Sequence, residues 1–396
     1  MTQSLEGIRV VDLTQNLAGP YCSQILADLG AEVVKIEPPK GDAARAWGPP
    51  FWGEDSPLYL SANRNKRSVG LDLKTERGKE IVWRLIEEAD VFVQALRGGV
   101  VERLGLDYAS VKAKRPSLIY VSVSAYGANG PLKDLPGYDP LMQAYCGIMS
   151  VTGHPDSGPA RVGGSVVDFG TGMWAALGVL SALHQRSDTG DGCHVSTSLM
   201  DTALGWVSYH LMGHMADGQI PGPMGSRFAM IAPYGAFPTN DGQLMIAAGS
   251  NALFGRLCAA FDLPELPGDP LYASNPSRVE NRDKLFTILA AKTRQYGTRE
   301  LWKLMGANSV PAAPIQDMAA VVSDPQVAAS GMLPAVDHPS IPNYRDVAIP
   351  VQWNNERPHT RTVPPRAGEH TREVLAEIGY SSDEIEGLLG DGTVIG

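Results

Sequence analysis

Residues 8–37 read IRVVDLTQNLAGPYCSQILADLGAEVVKIE, and the fold is decided there. Ile8–Leu13 is a short apolar run suited to a buried parallel strand. Ala18-Gly19-Pro20 breaks the run. Pro20 suits a first helical position, where its missing N–H would have no partner in any case. A helix is expected over Tyr21–Leu29, stopped by Gly30. Glu32–Glu37 (EVVKIE) then forms a second strand, which completes a β–α–β unit.

The alternation continues outward from this unit. Ser68–Leu73, Asp90–Gln94 and Leu118–Ser124 read as strands, and Glu76–Ala89 as a helix between two of them. Strands alternating with helices imply an α/β fold whose Rossmann-like parallel sheet is covered on both faces. Ligands of such sheets bind beyond the carboxyl ends of the strands. The loops after Leu13, Gln94 and Ser124 are therefore where chemistry is expected. Helices at Asp139–Gly147 and Thr171–Arg186, a strand at His194–Ser198 and one helix from Met200 to about Gly218 follow. From about Pro221 the style changes. Tyr234–Thr239 and Gln243–Ala248 suit a hairpin turned by Asn240-Asp241-Gly242. Helices follow at Ala252–Phe261, Arg282–Lys292 and Thr298–Gly306. The expected division is a large domain over 1–220, a smaller α+β domain over 221–330, and a third stretch, 331–396. That stretch carries a proline-rich crossing segment, Pro350–Pro365, and a helix at Glu369–Ile378, returning to the large domain or onto another subunit.

At 396 residues the chain exceeds the roughly 250–300 residues at which single cores stop growing. Its 43% hydrophobic and 19% charged residues are a globular balance. The 43 glycines and 30 prolines point to tight turns and close backbone approaches. A net charge of −10 argues against a nucleic-acid partner, so an anionic ligand would need a local cluster of Lys and Arg. Cys22, Cys146, Cys193 and Cys258 are scattered and read as reduced thiols. The start MTQSLEGIRVVDL has no basic region leading into an apolar run, and no stretch suggests a membrane span. A cytoplasmic location is expected.

Four constellations compete for the chemistry. The first β–α turn, with Glu37 suited to a ribose, has the place of a dinucleotide site but lacks GxGxxG, and Pro20 removes an N–H. A nicotinamide cofactor is not expected. Arg64-Asn65-Lys66-Arg67, followed by Lys74, reads either as a phosphate cradle or as a solvated basic loop. Asp168, in GGSVVDFGTGM, sits before a helix among Gly163, Gly164, Gly170 and Gly172. It is either an N-cap or a carboxylate that a large ligand can reach. His210 and His214 are spaced i, i+4, but Leu211 stands where HExxH needs glutamate and no third ligand is near. No metal site is expected.

Taken in order, several segments resemble the class III CoA-transferases, the family of formyl-CoA and carnitine CoA-transferases. They are LEGIRVVDLT, AGPYCSQILADLGAEVVKIEPPKGD, NRNKRSVGLDLK, VERLGL, SAYGANGPLKDLPGYDPLMQA, GGSVVDFGTGM, TGDGCHVSTSLMD, YGAFPTNDGQL, Asn281-Arg282, Asp324–Gln326 and GEHTREVL. The resemblance implies a nucleophilic aspartate at Asp168. It implies CoA contacts at Leu71, Leu73 and Lys74 near the adenine, Arg103 at the phosphates, and Ala95, Leu96, Pro136, Tyr138, Asp139 and Met200 along the rest. Asn16 falls near the thioester. The implied assembly is a homodimer of two interlocked chains. CoA enters as substrate, so no resident cofactor is implied. Two departures stand out. Gln94-Ala95-Leu96-Arg97-Gly98-Gly99 replaces the family's Glu-Asn-Phe-x-Pro-Gly, and the glycine-rich loop of formyl-CoA transferase has only Thr239–Gly242 and Ala248-Gly249-Ser250 as counterparts.

The implied reaction moves CoA from an acyl-CoA, with succinyl-CoA favoured, to a short dicarboxylate through a mixed anhydride and an aspartyl-CoA thioester. Arg45, Arg161 and Arg227 are candidates for a distal carboxylate. The related acyl-CoA racemases need a base where Tyr138 stands. A phenol of ordinary pKa near 10 is a poor base, which argues for transfer. A nucleotide-binding protein in which Asp168 only caps a helix is the remaining alternative.

Overall fold

The computed structural model describes residues 3–396. Among the described residues ten strands form two sheets: β1 (Arg9–Leu13), β2 (Glu32–Glu37), β3 (Lys66–Leu71), β4 (Val91–Gln94), β5 (Ile119–Ser124), β6 (His194–Ser198), β7 (Tyr234–Pro238), β8 (Gln243–Ala247), β9 (Ala312–Pro314) and β10 (Val394–Ile395). The larger sheet runs β10-β3-β2-β1-β4-β5-β6. Six of its strands are parallel, and β10 lies antiparallel on the β3 edge. The order 3-2-1-4-5-6 is that of a doubly wound dinucleotide fold, whose ligand crevice opens where the winding reverses, between β1 and β4. The β–α–β opening therefore decides the fold as its pattern implied.

Two compact units divide the chain: 1–148, 161–218 and 326–396 in one, and 149–160 with 219–325 in the other. Residues 149–160 thus pack with the second unit, although the sequence pattern placed them in the large domain. The second unit is a three-stranded antiparallel sheet, β7-β8-β9, whose core holds Phe237, Leu244, Ile246, Phe254, Leu257, Leu285, Leu289, Leu301 and Met305. Its hairpin turn closes with the Thr239 amide donating to the Gly242 carbonyl at 3.0 Å. In the first unit the final segment returns to β3: the His370 amide donates to the Ser68 carbonyl, and Val394 pairs with Leu71.

The helix Ala18–Asp28 is buried along nearly all its length between the sheet and the long helix Val166–Thr189. Close approach is built in by glycine. A Cβ on Gly172 would lie 2.6 Å from the Ala18 carbonyl oxygen. Val166–Thr189 is also long and apolar enough to cross a membrane by length and composition, contrary to the sequence expectation that no stretch would be. Its apolarity has a local cause on one side, since Ala175, Ala176 and Val179 are buried in the unit. On the other side Met173, Trp174 and Leu177 are exposed. The single helix expected over Met200–Gly218 is two, Leu199–Trp206 and Ser208–Asp217, meeting at Val207.

The basic run Arg64–Arg67 is neither a phosphate cradle nor a solvated loop. Arg64 is buried against Asp28 at 2.5 Å and Asp346 at 3.2 Å. Lys66 is buried against Asp12 at 3.2 Å, and its ammonium also donates to the Pro20 carbonyl and Asn63 Oδ1. Arg67 reaches Glu373 and Glu377. Beside this set, Lys35 meets Asp42 at 2.8 Å and donates to the Thr14 carbonyl. Burial alone would raise the Asp12 carboxyl, but Lys66 and Lys35 overcome it and hold Asp12 below its ordinary value. Internal ion pairs thus fix the loop after β1.

Candidate active site

In chain order, the residues expected around CoA end or follow five of the parallel strands. Asn16 follows β1; Leu71, Leu73 and Lys74 end or follow β3; Ala95, Leu96 and Arg103 follow β4; Pro136, Tyr138 and Asp139 follow β5; Met200 follows β6. Asn16 stands at φ +68°, its amide donating to Asp42 Oδ1 at 3.1 Å and its own Oδ1 buried without a partner. Lys74 and Arg103 are exposed and, with Arg97, make no ion pair among the described residues. The Leu96 amide is held by Gln94 Oε1 at 2.8 Å, and Gln94 in turn donates to Ser122. Gln94 therefore shapes the altered loop from within. Tyr138 is exposed, its ring edge-on to Trp47. The Met200 amide donates to the Ala125 carbonyl.

Two expected contacts have side chains turned elsewhere. Leu71 is buried in the hydrophobic core and Asp139 is only 1% exposed, with both carboxylate oxygens engaged.

Asp168 lies in the first turn of Val166–Thr189, half-buried, and is not the N-cap. Ser165 holds that position without a side-chain cap. The capping acceptor comes from another helix: Asp139 Oδ2 receives the Val167 amide at 2.8 Å and the Asp168 amide at 3.4 Å. Asp168 is thereby released from the structural task that its sequence position suggested. Burial raises its carboxyl, the Asp139 charge adds to the effect, and the result is a pKa of about 7. A carboxyl so displaced, at the ligand edge of an α/β sheet, has the character of a working group.

The family of the chain follows from comparison with known proteins. Residues 5–371 match the model of CoA-transferase family III. The chain belongs to CoA-transferase family III. It is 36% identical over 392 residues to a mouse (Mus musculus) succinyl-CoA:glutarate CoA-transferase, covering 98% of this chain and 90% of that one. It is 38% identical over 386 residues to a succinate–glutarate CoA-transferase of Agrobacterium fabrum, covering 94% and 95%. A crystal structure of a CAIB/BAIF family protein from Brucella suis superposes with a TM-score of 0.85 at 36% identity, over 96% of this chain and 100% of that one.

In this family III CoA-transferase the glycines around Asp168 divide into two kinds. A Cβ on Gly163 or Gly164 would meet nothing within 4 Å. A Cβ on Gly170 would lie 2.6 Å from the Trp206 ring, and Gly172 is closed by Ala18. Only the first pair leaves room for a ligand, and the second pair serves helix packing. Gly163→Ala and Gly164→Ala are therefore expected to fold with unchanged melting temperature yet lower kcat/KM for CoA transfer by roughly 10-fold or more, about 1.4 kcal/mol. Equal melting curves with unaltered kinetics would show that no substrate passes there.

The remaining candidates are accounted for. Glu37 does not face a ribose: burial would raise its carboxyl, but Arg45, Lys35 and Ser68 hold it down at about 2. Arg45 is consumed by Glu37, Asp55, Tyr59 and the Pro365 carbonyl, which removes it as a substrate-binding candidate. Arg227 pairs with Asp283 inside the second unit. Arg161 is exposed and touches only the Val162 carbonyl among the contacts described. No group of three or more His, Cys, Asp or Glu able to hold a metal occurs among the described residues.

Proposed function

We propose that this CoA-transferase moves CoA from an acyl-CoA, succinyl-CoA in the first instance, to a short dicarboxylate, with Asp168 as the attacking group. The observation that carries the proposal is the Asp168 carboxyl: freed from capping, raised to about 7 and preceded by the open backbone of Gly163-Gly164. The Asp168 carboxylate attacks the thioester carbonyl, the C–S bond breaks, and CoA leaves as the thiolate from a mixed anhydride. The thiolate attacks the aspartyl carbonyl, releasing the donor acid and leaving an aspartyl-CoA thioester. The acceptor carboxylate attacks that thioester and expels the thiolate again. The thiolate takes the acceptor's acyl carbonyl and restores Asp168. The overall exchange replaces one thioester by another of similar energy, and every attacking and leaving group is an anion, so no proton donor is needed. Amides of the Gly163-Gly164 segment would stabilise the tetrahedral oxyanions, and exclusion of water would protect the anhydride.

The exposed cations Lys74, Arg97 and Arg103 supply local positive charge for the CoA phosphates in a chain of net charge −10. A dicarboxylate acceptor is supported by the glutarate-named relatives and by Arg161, the one of the three candidate arginines not occupied by a carboxylate. The assembly is read as an interlocked homodimer. Trp174 is 52% exposed on the long helix, and Ser208–Asp217 has no buried residue while exposing Leu211, Met212 and Met215. A second copy would cover such surfaces. The four cysteines are free thiols, in keeping with a cytoplasmic place.

The test is a panel of acids incubated with succinyl-CoA and with acetyl-CoA, run on protein whose mass is followed by sedimentation. Transfer from succinyl-CoA to glutarate-length diacids, at rates at least about 10-fold above matched monoacids, by a dimer is the expected result. Preference for monoacids, or deuterium exchange at an acyl α-carbon without transfer, would overturn the substrate reading; an active monomer would overturn the assembly.

A further inference from the structure

We propose that Asp139 and Gln143 are positioning residues of the transfer reaction, which clamp both ends of the segment 162–167 and place a second carboxylate against Asp168. The inference rests on Asp168 as the nucleophile. The clamp is drawn from one helix, Asp139–Tyr145. Asp139 Oδ2 takes the Val167 amide at 2.8 Å and the Asp168 amide at 3.4 Å, which closes the far end. Asp139 Oδ1 accepts from Gln143 Nε2 at 2.6 Å, and Gln143 Oε1 takes the Val162 amide at 2.8 Å, which closes the near end. Both side chains are buried, at 1% and 0% exposure, so neither is a contact surface for a ligand. What they hold is the backbone of Gly163-Gly164 and the turn that carries Asp168.

A neutral Ser, Thr or Asn would cap a helix as well as Asp does. The choice of a carboxylate adds something a cap does not need, a negative charge beside Asp168. Burial raises the Asp168 carboxyl most, and among the described residues Asp139 is the one charge that adds to it; the other neighbours contact the residues on either side of Asp168. Asp139 comes from its own helix. From Ala18–Asp28 comes Tyr21, whose ring lies edge-on to Phe169 at 4.7 Å. From Leu199–Trp206 comes Trp206, whose indole N–H donates to the Val166 carbonyl at 3.3 Å. Arg161, just outside the clamped segment, is directed to the Val162 carbonyl. Asp139 is the charged neighbour that raises Asp168. A more basic carboxylate is a stronger nucleophile toward the thioester and a poorer leaving group from the mixed anhydride, a property that matters only in the reaction.

The test is the pH profile of kcat/KM in four proteins: wild type, Asp139→Asn, Asp139→Ser and Gln143→Leu. Both Asp139 variants keep a neutral cap acceptor, so either can stand in if the other fails to fold. In wild type kcat/KM rises with pH through about 7, as Asp168 of the free enzyme ionises. Both Asp139 variants are expected to show that rise about one pH unit lower, with a reduced plateau above pH 8. Gln143→Leu is expected to lower kcat/KM by roughly 10-fold or more with the midpoint moved far less than in the Asp139 variants, because it releases the Val162 amide and one hydrogen bond to Asp139 but leaves the Asp139 carboxylate in place. The melting temperature against pH reads the same Asp139–Asp168 coupling without catalysis. A midpoint that stays in place in both the kinetic and the melting profiles of the Asp139 variants overturns the positioning role. A melting profile that moves while Asp168→Asn retains transfer would instead overturn the nucleophile reading and leave the coupling standing.

Discussion

Asp168→Asn is expected to lose CoA transfer by at least about 10³-fold while folding normally and melting above the wild type at pH 8. The amide has nearly the same volume and shape but cannot form a mixed anhydride, so chemistry ends at the first step. The stability gain follows from the raised carboxyl. In the folded protein Asp168 releases its proton near 7, and in the unfolded chain near its ordinary 3.8. Between those values the folded state binds more protons than the unfolded state, so wild-type stability falls as pH rises through that window. About three pH units at 1.36 kcal/mol each, discounted for partial exposure, amount to on the order of 2–4 kcal/mol above pH 7. Asn does not titrate and escapes this loss. The two melting curves should converge below pH 4 and separate above pH 7. A variant that melts lower at pH 8 would mean that Asp168 holds the fold together and that the raised pKa is misread.

Lys66→Met carries the largest expected cost in stability, about 3–5 kcal/mol. Asp12 and Lys66 have no solvent exposure in their side chains, and their contact is 3.2 Å. Removing the lysine leaves Asp12 with Thr14 and Ser23 as hydrogen-bond partners and Lys35 as its remaining cation. It also deprives the Pro20 carbonyl and Asn63 Oδ1 of their donor. The loop from Thr14 to Pro20 would loosen, and Asn16 with it. Replacing both members, Asp12→Asn with Lys66→Met, should recover most of the loss, since the penalty lies in the orphaned charge. Chemical denaturation of the two variants measures this directly. A single variant within 1 kcal/mol of the wild type would show that the pair is incidental to the fold.

The sheet was legible in the sequence because its strands are apolar runs of four to six residues separated by amphipathic helices, and β1 to β6 all stand within two residues of the expected places. What escaped was charge inside the sheet. Asp12, Lys35 and Lys66 sit in or beside buried strands; Lys66 was read as part of a phosphate cradle or a solvated loop, and Asp12 and Lys35 carried no reading of their own. A charged residue inside a buried run signals a partner in the next strand. The register that places Asp12 opposite Lys35 becomes visible only when the chain is folded. The same holds at the site. Position before a helix made Asp168 look like a cap, because the acceptor that caps the helix lies 29 residues earlier at Asp139. The short β9 and β10 escaped because three- and two-residue strands carry no period. The glycines divided into ligand space and helix packing only once Trp206 and Ala18 were in place against them.

The most direct test of the central claim is to trap the covalent intermediate. The wild-type enzyme is incubated with succinyl-CoA, treated with borohydride, digested and sequenced by mass spectrometry. Borohydride reduces an aspartyl thioester to the alcohol, so residue 168 should be recovered as homoserine only when acyl-CoA was present. Hydroxylamine in place of borohydride should give the hydroxamate at the same residue. Recovery of unmodified Asp168 from an enzyme that is turning over, or of the modification at another carboxylate, would contradict the account.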